Sequence, residues 1–84
     1  PEAGLPERAS LIRAFRAYAS AQGLQADWGA VEEAPMETLV NALSAGCPFN
    51  APEKQALLEA PTLAGRAETL IALLEIGGSG GEGG

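Results

Sequence analysis

The sequence predicts an all-α fold: a compact bundle of four to five short helices followed by a disordered glycine-rich C-terminal tail. Three observations carry this. Ala, Leu and Glu dominate the chain, and all three have high helix propensity. β-branched residues are scarce, limited to Ile12, Val31, Thr38, Val40, Thr62, Thr69, Ile71 and Ile76. No stretch alternates apolar and polar residues long enough to make a half-buried strand.

The first helix is expected from about Pro6 to Gln22, after an N-terminal arm (1–5). Proline suits a first helical turn, where its missing N–H costs nothing. Leu11, Ile12, Phe15, Tyr18 and Ala19 recur at helical spacing and form one apolar face. Arg8, Arg13 and Arg16 lie away from it, and Tyr18 is expected at the core edge with its hydroxyl in water. Gly23 suits the left-handed residue that ends a helix, with Leu24 packing back on the last turn.

Asp27 is a good N-cap for a short helix from Trp28 to Ala34, stopped by Pro35. A third helix follows, with Met36, Leu39, Val40 and Leu43 at i, i+3, i+4 and i+7 and Gly46 at its end. Asn50-Ala51-Pro52-Glu53 is a capping-box arrangement opening a fourth helix. Leu57 and Leu58 carry its apolar face, and it ends before Pro61. Thr62 caps the fifth helix, with Leu63, Ala67, Leu70, Ile71 and Leu74 on its buried side and Ile76 as its last apolar residue. The bundle therefore spans 6–76. The run from Gly77 onward, 77–84, reads as a flexible tail because glycine and serine bury too little surface to offset ordering entropy.

With 84 residues the chain fits one small domain. Five basic against eleven acidic residues give a net charge of −6, which disfavours nucleic acid and anionic membranes. No apolar run approaches the ~18 residues of a spanning helix, and no signal peptide opens the chain. These features predict a soluble, cytoplasmic protein. Hydrophobic residues make up 46 %, yet seventeen are alanines, so the packing core is thin. Starting at Pro1 rather than Met, the chain reads as a fragment of something longer.

Catalytic chemistry is hard to place. There is no His, which excludes the usual nucleophile–base pairs and leaves a zinc site almost nothing to bind with. Lys54, the only lysine, follows a cap glutamate and reads as solvated. No phosphate-binding glycine loop is present. Glu32, Glu33 and Glu37 form an acidic patch without the spacing of a calcium loop. The single Cys47 cannot form an internal disulfide and reads as a small packed hydrophobe. No catalytic, cofactor-binding or metal-binding residue is assigned, and no cofactor is expected. Size, charge and helix content also suit an acyl carrier protein. Its Asp-Ser-Leu attachment motif has no counterpart, since the one Ser-Leu is Ser10-Leu11, preceded by Ala9 inside the first helix.

One motif stands out in the second half. Cys47-Pro48-Phe49, then Glu53-Lys54-Gln55-Ala56-Leu57-Leu58-Glu59, then Thr62-Leu63 and Arg66-Ala67 with Leu70-Ile71, resembles the end of the N-terminal substrate-binding domain of bacterial Lon (ATP-dependent La) proteases. Leu39-Val40-Asn41-Ala42-Leu43 resembles the helix preceding that motif, and the similarity covers roughly Trp28 to Ile76. Glu53 is expected to cap, Leu57 and Leu58 to pack, and Arg66 to pair with a carboxylate or a helix C-terminus. Gly65 departs from the family, which has an acidic residue there. The substitution costs ~1 kcal/mol in helix propensity relative to Ala and forgoes a second capping box.

The resemblance implies the helical subdomain alone. Family members place a β-rich subdomain before it, and full proteases add an ATPase and a Ser-Lys peptidase. The implied role is non-catalytic recognition of polypeptide substrates, with Trp28, Met36 and Phe49 as candidate contacts. The alternative is a packing support for the missing β-rich subdomain, with no ligand of its own.

Overall fold

The structure, a computed structural model, describes residues 6–83, with side chains described through residue 78. The expected arm (1–5), Gly84 and the side chains of the expected tail from residue 79 onward lie outside the described residues. Among the described residues there are five helices and no strand: α1 (Arg8–Gln22), α2 (Trp28–Glu33), α3 (Met36–Gly46), α4 (Ala51–Glu59) and α5 (Leu63–Gly83).

The helix ends follow the local chemistry. Gly23 sits at φ 71°, and beside it the Leu24 N–H donates to the Ala19 carbonyl at 2.8 Å while the Gly23 N–H donates to Ser20 at 3.4 Å. This is the paired pattern of a left-handed helix stop. Asp27 Oδ1 accepts the Ala30 N–H at 3.2 Å. Asn50 Oδ1 accepts the Glu53 N–H, and Glu53 Oε1 accepts the Asn50 N–H, both at 2.9 Å. The capping box is therefore complete, and two otherwise orphaned donors are satisfied reciprocally. Thr62 Oγ1 accepts the Gly65 N–H at 3.0 Å. That cap contact forms without its reciprocal arm, because Gly65 has no carboxylate to return. α1 starts at Arg8 rather than Pro6, since Glu7 is still extended (φ −69°, ψ 142°).

α5 is the hub, packing on α1 most extensively and also on α3 and α4. Its Ala67, Leu70 and Leu74 are wholly buried, as are Leu11 of α1 and Val40 of α3. Phe15, Tyr18, Leu39, Leu43 and Leu57 complete the centre. α2 buries no residue completely and is tied to α1 instead. Arg8 Nη1 donates to the Ala34 carbonyl just past its end. Arg16 pairs with Glu32 at 3.6 Å and lies over the Trp28 ring, 4.5 Å from its centroid. Both members of the ion pair are half exposed, so it contributes at most ~1 kcal/mol.

Two expectations change. The sequence expectation ends the bundle at Ile76, but Gly77 and Gly78 continue α5 and pack on α1. A Cβ at Gly77 would lie 2.5 Å from Tyr18 Cε1, and one at Gly78 would lie 3.1 Å from the Ala17 backbone carbonyl carbon. At these two positions the missing side chain permits close helix approach, which composition alone presents as a linker. Tyr18, expected at the core edge, is 4 % exposed because α5 closes over its ring.

Gly77→Ala is therefore expected to lower thermal stability. Overpacking costs ~1–3 kcal/mol, more than the ~1 kcal/mol that alanine adds in helix propensity. Gly46→Ala, where an added Cβ meets nothing within 4 Å, should hold stability or raise it by ~0.4–1 kcal/mol. Thermal unfolding followed by circular dichroism compares the two.

Candidate functional site: a cleft between α3, α4 and α5

Successive residues on a helix point ~100° apart, so Leu57 and Leu58 are not buried alike. Leu57 is 2 % exposed and Leu58 is 74 % exposed. The expectation that both pack is corrected here: with α5 taking Leu57, Leu58 is turned out to solvent. It forms the rim of a cleft lined by Asn41, Ser44 and Ala45 of α3, Lys54, Leu57 and Leu58 of α4, and Arg66 of α5. Its volume is about 210 Å³, below the ~300–1,000 Å³ of small-molecule sites and suited to a side chain or two.

Arg66 organises the walls. Its Nε donates to the Leu57 carbonyl at 3.2 Å and its Nη1 to Asn41 Oδ1 at 2.9 Å. The expected pairing with a helix C-terminus is thus observed, at the last turn of α4, where carbonyls run out of intrahelical partners. The same guanidinium reaches α3. Ser44 Oγ is buried without a hydrogen-bond partner among the described residues.

The residues singled out from sequence are distributed differently. Met36 and Phe49 are each 8 % exposed and belong to the core, so neither is available to a docked polypeptide. Their places at helix junctions are explained by plugging: Phe49 packs its ring on Tyr18, with centroids 5.6 Å apart. Trp28 is half-buried, tilted at 54° against Phe15 at 5.2 Å and covered on one side by Arg16. Of the motif residues, Lys54, Leu57, Leu58 and Arg66 converge on the cleft. Glu53 caps, Glu59 accepts a hydrogen bond from Gln55 at 3.0 Å, Leu63 packs at the core margin, and Pro48 lies exposed in the turn before α4. Asn41, Ser44 and Ala45 were not singled out as site residues. They stand at i, i+3 and i+4 on α3, a spacing that identifies a shared face, but their polarity reads as a solvated one.

Two other clefts are lined partly by glutamate. One, along α1, combines Arg8, Arg13 and Arg16 with Glu32. The other has Trp28 and Gly29 beside Glu32 and Glu33. Among the described residues no three His, Cys, Asp or Glu side chains gather as a metal site would require. No helix of the described residues is long and apolar enough to cross a membrane. No family model, curated protein or solved structure matches the chain.

Cys47 is 4 % exposed. Burial pushes its thiol up from 9.0 to about 11, opposed in part by the charge of Lys54. Burial likewise raises the Tyr18 hydroxyl, with the Cys47 and Glu53 charges adding to the effect. An acid whose folded value is raised stabilises the fold below its unfolded value and loses that contribution as pH rises through the folded one. Stability should therefore decline between pH 9.0 and about 11 for Cys47. Near neutral pH, the native thiol should react with a thiol-specific reagent at least ~100-fold more slowly than the denatured chain. Stopped-flow labelling with and without denaturant measures that ratio.

Proposed function

We propose that this bundle is a non-catalytic protein-interaction module that holds polypeptide segments in the α3–α4–α5 cleft, as the helical part of a Lon-type substrate-binding domain. The observation that carries the reading is Leu58, a large apolar side chain 74 % exposed at the rim of a cleft floored by buried Leu57. Leaving such a side chain in water forgoes roughly 1.5–3 kcal/mol of possible burial, and a docked apolar side chain would recover part of it. The cleft is too small for a folded element and open to an extended or unfolded segment. Its rim carries charge and amide groups, in keeping with a polar edge around an apolar centre. The resemblance of the Glu53–Arg66 segment to the substrate-binding family points the same way, since Lys54, Leu57, Leu58 and Arg66 all line this cleft.

Binding of a permanently unfolded, carboxymethylated polypeptide, read by fluorescence anisotropy, tests the proposal. Leu58→Asp should weaken binding by ~10-fold or more, the scale of an interface anchor residue, and leave helical circular dichroism intact. Met36→Ala and Phe49→Ala should instead lower the melting temperature, with ~2–5 kcal/mol lost per truncated core side chain. Unchanged binding in Leu58→Asp would defeat the proposal. Concentration-dependent self-association without polypeptide binding would favour the packing-support alternative.

A further inference from the structure

The electrostatics of this cleft differ from those of the chain as a whole. The protein carries a net charge of −6 with only five basic residues, yet two of the five, Lys54 and Arg66, line this cleft and no carboxylate does. The three arginines of α1 are placed otherwise. Arg8 and Arg16 are engaged in holding α2, and all three share their cleft with Glu32.

The carboxylates nearest in sequence on α4 are also engaged. Glu53 accepts from the Asn50 N–H and Glu59 from Gln55. Among the described residues the Lys54 ammonium makes no hydrogen bond or ion pair, and only two of the Arg66 side-chain nitrogens are used. Ser44 Oγ is buried and unpartnered in the same wall.

From this charge complementarity we infer that the occupant is an acidic-apolar polypeptide segment: an aliphatic or aromatic side chain seated on Leu57 and Leu58, with a neighbouring carboxylate reaching Lys54 and Arg66. The inference rests on the polypeptide-binding reading above and specifies its ligand class. The negative charge of the rest of the protein opposes approach at long range. At physiological ionic strength, however, exposed charges beyond ~8 Å are largely screened, so the two cations at contact decide the preference.

The test uses the whole 84-residue chain and four short labelled peptides of equal length. One carries Leu-Phe-Asp-Glu, one the uncharged Leu-Phe-Asn-Gln, one Leu-Phe-Lys-Arg, and one Gly-Ser-Asp-Glu, which has the acid without the apolar side chains. The first should bind about fivefold tighter than its amide counterpart, the upper range for exposed ion pairs, and far tighter than the other two. Lys54→Glu should erase or invert that preference. Lys54 is exposed, and a glutamate there suits the N-terminal turn of a helix, so the fold is retained. Leu58→Asp should remove binding of the first two peptides alike.

Equal binding of the acidic and amide peptides, tighter binding of the basic one, or a preference that survives Lys54→Glu would overturn the inference and leave the polypeptide-binding reading standing. Loss of all peptide binding together with loss of unfolded-polypeptide binding would overturn both. A dimer in sedimentation that Lys54→Glu dissolves would identify a second copy as the occupant and overturn the inference.

Discussion

The fold depends on how closely α5 approaches its neighbours. Ala67, Leu70 and Leu74 are wholly buried and lie along one stripe of a helix that touches α1, α3 and α4. The placement of α1, α3 and α4 is set against that stripe, while α2 is held through α1. In a chain with seventeen alanines, the large side chains are few. Small residues then help by bringing backbones together, which increases dispersion contacts per unit of buried surface. Ala67 does this within the stripe, and Gly77 and Gly78 do it where α5 covers Tyr18 and the backbone at Ala17.

Much of this architecture was legible in the sequence because it is local. The Gly23 stop, the Asp27 cap, the Asn50–Glu53 box and the Thr62 cap are all decided by residues within a few positions of one another, and each forms as its chemistry requires. The apolar stripes of α1 and α3 identified most of their buried faces for the same reason. What was not legible depends on neighbours distant in sequence. Leu57 and Leu58 are chemically identical, and only the position of α5 decides which is buried. Gly77 and Gly78 read as linker until α1 is seen beside them. Met36 and Phe49, candidates for a binding surface, are filled in by the core. Arg8 and Arg16 are placed by sequence only as lying away from the apolar face of α1, yet they hold the short α2 in place.

The candidate site shows the same division. Its α4 half and Arg66 were singled out through the motif, whereas its α3 half (Asn41, Ser44 and Ala45) became visible only once the helices were assembled. The cleft belongs to the packing of three helices rather than to any one of them. In the proposed role, recognition would use the part of the bundle where the core ends incompletely: Leu57 closes the interior, and Leu58, one residue on, offers apolar surface outside it.

Arg66 has a consequence of its own. Its guanidinium bonds a carbonyl of α4 and a side chain of α3 while its backbone belongs to α5, so the three walls are pinned to one another as the chain folds. The conformational freedom that an unpinned groove would surrender on capturing a ligand has already been given up during folding. Pre-organisation of this kind is how a small, shallow cleft can favour one class of ligand without a large interface, and here it follows from a single planar side chain that lysine could not replace.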